Sequence, residues 1–157
     1  MGISPYFAGI RAAIGSELML VPGVTVLVWD DERRLLLVRT GEEGQWGLIG
    51  GAVEPNESPH DAATREALEE VGIGIELTGL RAALGGPAFR VRYDNGDVVA
   101  YVQTLFDAKI TRGTPTPDMD EVTEARWFSA DELAVADLDS FALATLRAVN
   151  VMTEDHL

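Results

Sequence analysis

The sequence contains no cysteine, which excludes disulfide bonds and metal sites built on thiolates. It has a single lysine, Lys109, and its arginines are scattered along the chain. Because proteins that track a phosphate backbone need clustered basic residues, no polymeric nucleic acid is expected as a partner. The longest apolar run, residues 18–29, contains Pro22 and Gly23 and is too short to span a bilayer, so no membrane partner is expected. Residues 1–11 do not resemble a secretory signal, and a cytoplasmic location is therefore expected.

Acidic residues dominate the charge of the chain. The 157 residues carry a net charge of −14 and are 46% hydrophobic, a composition that predicts one folded domain over 1–157. Residues 51–73 alone hold six acidic side chains against one arginine. Such a segment repels phosphates unless divalent cations are bound, so any reaction on a phosphate substrate here requires a metal ion.

Within this acidic segment the sequence predicts a helix with defined ends. Ser58 is a good N-cap, Pro59 suits the first helical position, and Asp61 completes a capping box. Gly72 is typical of the position that follows a helix C-terminus, so the helix should end at Val71.

Three carboxylates on this helix, Glu66, Glu69 and Glu70, fall at i, i+3 and i+4 and share one face. Like charges at i, i+4 repel one another, and a bound divalent cation such as Mg²⁺ would offset that repulsion. The alternative is a solvated acidic face without a ligand, which is the usual role of a glutamate-rich helix.

The spacing across residues 51–73 is G-x5-E-x7-R-E-x2-E-E-x-G-I, which resembles the Nudix box. The resemblance extends over about residues 20–150 and implies an α+β fold, a Nudix-type α/β/α sandwich with a mixed β-sheet. One departure is Ile49, where the family usually has proline. The residues that carry the motif are Gly51, Glu57, Arg65, Glu66, Glu69, Glu70, Gly72 and Ile73.

The resemblance assigns a role to each of these positions. It implies that Glu66, Glu69 and Glu70 bind Mg²⁺, or Mn²⁺, and that Glu57 pairs with Arg65 to orient the loop before the helix. Gly51 and Gly72 would permit the backbone turns at the two ends of the box. In the family a later loop carries a further glutamate, here Glu121, which ligates metal or acts as general base. Its neighbours Asp118, Asp120 and Glu124 compete for that role, and Glu70 is the other candidate base.

Four residues outside the box are candidates for substrate binding, and each has a structural alternative. Arg39 either faces the substrate or lies solvated at a strand end. Trp46 either stacks on a base or packs in the core. Arg90 and Arg92 alternate along one strand face, where they either contact an anionic substrate or face solvent.

The remaining pattern predicts the order of the elements. A helix over 4–16, within an N-terminal extension of residues 1–20, either caps the sheet or forms a dimer contact. Strands over 23–29 and 35–40 are expected to form a hairpin. Further strands are predicted over 75–84, 88–93, 98–110 and 125–128, and two helices follow.

The function implied is Mg²⁺-dependent hydrolysis of a nucleoside diphosphate linked to another moiety X, with water attacking phosphorus. A nucleoside triphosphate, ADP-ribose or a nucleotide sugar is the expected small-molecule substrate. Two alternatives are a non-catalytic module that senses nucleotides and an interaction protein that docks a basic partner on its acidic face.

Overall fold

The computed structural model describes residues 4–40 and 44–152. The predicted loop after Arg39 lies partly outside the described residues. The helices are α1 Pro5–Ile14, α2 Pro59–Val71, α3 Ala130–Ala134 and α4 Ser140–Ala148, with a 3-10 turn at Pro87–Phe89. The strands are β1 Met19–Val28, β2 Leu35–Thr40, β3 Trp46–Gly47, β4 Ile49–Ala52, β5 Gly74–Leu84, β6 Arg90–Arg92, β7 Val98–Arg112 and β8 Val122–Phe128.

The strands form two sheets, and the larger of them is mixed. It has the order β4-β1-β7-β5, with β6 paired to β7. β1 runs parallel to β7, whereas the other pairs in this sheet are antiparallel. The smaller sheet is antiparallel, in the order β3-β2-β8. The predicted α+β class with a mixed sheet and helices is thus confirmed, with the strands divided between two sheets.

The predicted hairpin of β1 and β2 is wrong. A lone bridge, Trp29 with Leu35, joins the two segments, and β2 pairs with β3 and β8 instead. The reason is that β2 is buried on both of its faces. Leu36 packs into the core under α2, whereas Leu37 packs into a second core with α4. A strand that serves two cores must lie between them, and β1 is already paired on both edges by β4 and β7.

The other strand predictions hold with changed ends. Residues 88–93 were expected to be one strand, but the segment begins with the 3-10 turn and leaves three residues in β6. Phe89 explains the change, because its ring is buried and lies edge-on to Phe141 of α4, 5.3 Å between centroids. This contact draws the chain off the sheet before β6 begins.

Helix α1 caps the larger sheet, which is one of the two roles predicted for it. Phe7 is buried in a small core with Met19, Val21 and Val99. Ser4 caps the helix N-terminus by accepting a hydrogen bond from the backbone N–H of Phe7. Across the described part of the chain, no helix is long and apolar enough to cross a membrane.

Candidate active site

Helix α2 is fixed at both ends as the sequence predicted. The Ser58 hydroxyl accepts a hydrogen bond from the backbone N–H of Asp61, and the Asp61 carboxylate accepts one from the N–H of Ser58. Gly72 ends the helix in the left-handed conformation, with φ 67°. The backbone N–H of Asp118 donates to the carbonyl of Glu70 at 3.1 Å, so the loop before β8 is tied to the end of α2.

The pairing predicted between Glu57 and Arg65 is present. Arg65 Nε lies 3.1 Å from Glu57 Oε2 and Nη2 lies 2.7 Å from Oε1, so the guanidinium grips both oxygens. The same Nη2 donates to the carbonyl of Ala52 at 3.0 Å. These hydrogen bonds hold the pKa of Glu57 below its usual value, chiefly through Arg65. The pair therefore fastens the strand β4 and the following loop to α2.

Arg65 also reaches two of the three helix carboxylates. Its Nη1 lies 2.7 Å from Glu66 Oε1 and 3.2 Å from Glu69 Oε2. Glu69 is 40% exposed, whereas the Glu66 side chain is only 9% exposed. The carboxylates therefore share one arginine but differ in their contact with solvent.

Glu66 and Glu70 are buried together at the inner side of α2, each 7% exposed. Glu70 Oε1 accepts a hydrogen bond from the backbone N–H of Gly50 at 3.3 Å, and Oε2 is buried without a hydrogen-bond partner. Burial, followed by the charge of Glu66, raises the pKa of Glu70 to about 9. Burial also raises the pKa of Glu66, against the opposing effect of Arg65. Of the two buried carboxylates, Glu66 is paired with Arg65, whereas Oε2 of Glu70 has no hydrogen-bond partner among the described residues.

Gly51 leaves the space in which the Glu66 carboxylate lies. A Cβ built at this position would collide with both carboxylate oxygens and with the carboxyl carbon of Glu66. The glycine of the motif thus serves the close approach of β4 to α2, rather than an unusual backbone angle.

Glu121 lies beside the two buried carboxylates, as the sequence predicted for the later loop. Its charge contributes to the raised pKa of both Glu66 and Glu70. Asp118 holds the loop that carries it, since its Oδ1 accepts hydrogen bonds from three consecutive backbone N–H groups, 120–122, at 2.8–3.1 Å. Two of the other carboxylates considered for the same role have structural contacts instead. Asp118 holds the loop through these hydrogen bonds, and Glu124 pairs with Arg39 at 3.2 Å.

The chemistry of this cluster fits a hard divalent cation. Carboxylate oxygens are the ligands that Mg²⁺ and Mn²⁺ prefer, and the buried Oε2 of Glu70 has no hydrogen-bond partner in the part of the chain that the structure describes. Among residues 4–40 and 44–152, no three acidic or histidine side chains already converge as a metal-binding group. Arg65 contacts one oxygen of Glu66 and one of Glu69, and leaves the second oxygen of each carboxylate uncontacted by its guanidinium.

Two of the predicted substrate contacts lie elsewhere. Trp46 is 5% exposed and packs edge-on against Phe128, 4.9 Å between centroids, which confirms packing in the core and leaves no free ring face. The guanidinium of Arg39 stacks over this ring at 4.3 Å and pairs with Glu124. Arg39 therefore lies at the strand end and is bound to neighbouring side chains.

The predicted contacts at Arg90 and Arg92 are also not supported. Both side chains are exposed on the short strand β6 and neither lines the cavity beside the carboxylates. The interpretation as a solvated face agrees with their position.

The cavity next to the cluster has a volume of about 640 Å³ and is lined in part by residues that the sequence analysis did not propose for the site. Among these are Phe7 and Arg11 of α1, together with Tyr93 and Tyr101. No motif marks them, because they come together only when α1 folds across the parallel pair β1 and β7. The hydrophobic pattern of residues 4–16 was the one available signal.

Comparison with known proteins agrees with this geometry. The NUDIX domain model matches residues 19–149. A Bacillus subtilis (strain 168) protein with the provisional name 8-oxo-dGTP diphosphatase is 32% identical over 115 residues, which are 73% of this chain and 70% of that protein. The NAD-capped RNA hydrolase NudC of Pseudomonas syringae pv. syringae is 29% identical over 71% of this chain, but over only 37% of its own length.

A solved structure is also similar to this fold. The MutT NUDIX hydrolase from Burkholderia pseudomallei is 27% identical, covers 86% of this chain and 99% of its own, and superposes with a TM-score of 0.68. The domain match spans most of the chain and includes the complete motif at residues 51–73. This chain therefore belongs to the Nudix family of pyrophosphohydrolases.

Proposed function

We propose that the protein is a Mg²⁺-dependent hydrolase that cleaves the diphosphate linkage of a nucleoside diphosphate joined to another moiety X. The observation that carries this proposal is the buried pair Glu66 and Glu70, with one carboxylate oxygen that has no hydrogen-bond partner among the described residues. A solvated acidic face would not bury two of its three carboxylates. The intact cluster likewise argues against a nucleotide-sensing module that does not turn over its ligand.

Glu66 and Glu70 would hold the magnesium ion, with Glu69 at the exposed edge of the cluster; manganese has the same preference for oxygen ligands. When bound, the ion supplies positive charge against the phosphate oxygens and makes water a better nucleophile at neutral pH. Glu57 and Arg65 would keep the loop and the helix at a fixed separation, so that the carboxylates stay in position.

We assign the general base to Glu121 rather than Glu70. Glu70 is buried and its pKa is raised to about 9, so at neutral pH it holds a proton until a cation displaces it. Glu121 lies on the cavity wall, on a loop held in place by Asp118. It would take the proton of the attacking water as the water oxygen bonds to phosphorus. The bond from phosphorus to the bridging oxygen then breaks and leaves two phosphate-bearing products.

The names of the relatives indicate only a range of possible substrates. Proteins named as an 8-oxo-dGTP diphosphatase and as an NAD-capped RNA hydrolase both act on nucleoside phosphates, so the shared chemistry is hydrolysis of a phosphoanhydride next to a nucleoside. A nucleoside triphosphate, or an ADP-ribose or nucleotide-sugar type of substrate, fits this range. The chain's scattered arginines still favour a small nucleotide over a polymeric substrate.

A panel of substrates tests the proposal. ADP-ribose, nucleotide sugars, dinucleoside polyphosphates and canonical and oxidised dNTPs would be incubated with the protein, with Mg²⁺, with Mn²⁺ or with EDTA. We expect metal-dependent release of phosphate or a nucleotide from one class. Glu66→Gln should lose this turnover, whereas Glu76→Gln, at an exposed carboxylate paired with Lys109, should keep it. Full activity of Glu66→Gln in EDTA would overturn the proposal.

A further inference from the structure

The cavity beside the carboxylate cluster has two chemically different ends. At one end it is lined by Gly51, Glu66 and Glu121, the residues assigned above to metal and water chemistry. At the other end it is lined by Phe7 and Tyr93. Its volume of about 640 Å³ is within the range of pockets that enclose a whole small ligand. The site therefore has room for a group well beyond the diphosphate.

At the far end of the cavity, Arg11 joins α1 to the turn before β7. Arg11 Nη2 donates to the carbonyl of Val98 at 3.4 Å, and Nε lies 3.4 Å from Asp97 Oδ2. Its Nη1 donates to the carbonyls of Gly15 and Glu17 at 2.9 and 2.7 Å. The side chain is only 13% exposed. Arg11 therefore donates through both Nη atoms to the backbone and holds α1 in place, whereas its Nε is buried beside Asp97 without a hydrogen bond to any described residue.

The surface of this end is apolar and aromatic. Phe7 belongs to a buried core with Met19, Val21 and Val99, all of which also line the cavity. The hydroxyls of Tyr93 and Tyr101 lie 2.7 Å apart. Such a wall favours a flat ring that can stack and exclude water.

Charge at the same end disfavours a second anionic group. Of the described residues that line the cavity, two are cationic, Arg11 and Arg65, and both are paired with carboxylates. The turn beside Tyr93 contributes oxygen acceptors instead, on Asp94, Asn95 and Asp97. A phosphate placed here would meet the carboxylates of Asp94 and Asp97, whereas a neutral ring with amino or hydroxyl donors would meet oxygen acceptors.

We propose that α1 and the pair Tyr93 and Tyr101 form a subsite for the heteroaromatic base of the nucleotide, with the diphosphate directed toward Glu66. This deepens the proposed function and rests on it. Helix α1, Pro5–Ile14, precedes residue 19, where the family match begins, whereas Tyr93 and Tyr101 lie within the match. A substrate with a nucleoside at one end therefore fits this subsite, whereas a substrate with a second charged group at that end does not.

Replacing Tyr93 tests the subsite kinetically. Tyr93 is 45% exposed, so its removal should leave the fold intact. We expect Tyr93→Ala to raise KM for the nucleotide about tenfold, the effect of one lost base-stacking contact, with little change in kcat. Tyr93→Phe keeps the ring and should stay within about threefold of the parent KM, because only the hydroxyl contact is lost. Leu80→Ala removes an exposed apolar side chain, 69%, outside the cavity and should change neither constant.

A binding measurement without metal separates this inference from the hydrolase proposal. In EDTA, adenosine, guanosine, cytidine and uridine would be added at millimolar concentration to the isotope-labelled protein, with ribose 5-phosphate and inorganic pyrophosphate as probes that lack a base. We expect nucleosides to shift the NMR signals of Phe7 and Tyr93, and the base-free probes not to shift them.

Each outcome decides one of the two claims. No nucleoside shift, equal shifts from ribose 5-phosphate, or an unchanged KM in Tyr93→Ala would overturn the subsite while leaving hydrolysis intact. Nucleoside shifts at α1 in a protein that turns over no substrate would support the subsite and contradict the hydrolase.

Discussion

Replacing Glu70 by glutamine should change how the stability of the metal-free protein depends on pH. The folded protein holds the Glu70 proton up to pH about 9, whereas the unfolded chain releases it near 4.5, the ordinary pKa of a glutamate side chain. Between these two pKa values the folded state binds more protons than the unfolded state. The stability that neutral Glu70 contributes is therefore fully present below about pH 4.5 and is lost as pH rises toward 9. Glutamine is uncharged and removes this dependence at position 70.

The size of the effect follows from proton linkage. One proton bound only by the folded state changes the free energy of unfolding by at most about 1.4 kcal/mol per pH unit. From pH 6 to pH 8 the limit is therefore about 2.7 kcal/mol. Coupling to Glu66 and local relaxation reduce it, so we expect a divergence of about 1–2.5 kcal/mol between the two proteins. For a chain of this length that corresponds to about 3–10 °C in melting temperature.

Thermal unfolding in EDTA at pH 6, 7 and 8 measures this divergence. The melting temperature of the parent protein should fall relative to that of Glu70→Gln as pH rises, because folding must take up a proton that the unfolded chain has released. Glu76→Gln, an exposed carboxylate outside the cluster, should follow the parent at every pH. Parallel curves for the parent and Glu70→Gln would refute the reasoning, since they would show that Glu70 titrates alike in the folded and unfolded states.

Three further substitutions probe the support of the site. Arg65→Lys cannot grip two carboxylate oxygens at once and should lower the free energy of unfolding in urea by about 1–3 kcal/mol; unchanged stability would contradict the orienting role. Gly51→Ala should weaken Mg²⁺ binding in calorimetry about tenfold or more by displacing Glu66, whereas Gly9→Ala, with open space around its Cβ, should not. Asp118→Ala frees three backbone N–H groups and should lower kcat about tenfold through the loop that carries the proposed base; equal kcat would separate that loop from catalysis.

The sequence predicted the box well because its signals are local. The capping box at Ser58, the terminal Gly72 and the pair of Glu57 with Arg65 depend on residues within one helix and the loop before it. Such contacts are set by spacing along the chain, and the structure reproduces them. The burial of Glu66 was not visible in this way, because it depends on how closely β4 approaches α2.

Pairings between distant segments were harder to predict. The apolar residues of β1 and β2 fit a hairpin, but the same pattern also fits a strand with a core on each face. The actual pairing depends on β7 and β8, which are the partners of β1 and β2 and lie 60 or more positions further along the sequence. Arg11 was missed for the same reason, because its contacts with Asp97 and Val98 join opposite parts of the chain.

The most direct test of the account is the initial rate of hydrolysis as a function of Mg²⁺ concentration, for the parent protein, Glu70→Gln and Glu76→Gln. The account predicts that the parent rate rises from zero in EDTA and saturates, that Glu76→Gln gives the same curve, and that Glu70→Gln loses about 100-fold or more at saturation. A parent rate that does not need metal, or a Glu70→Gln curve that coincides with the parent, would contradict the claim that the buried carboxylates of α2 hold the ion on which hydrolysis depends.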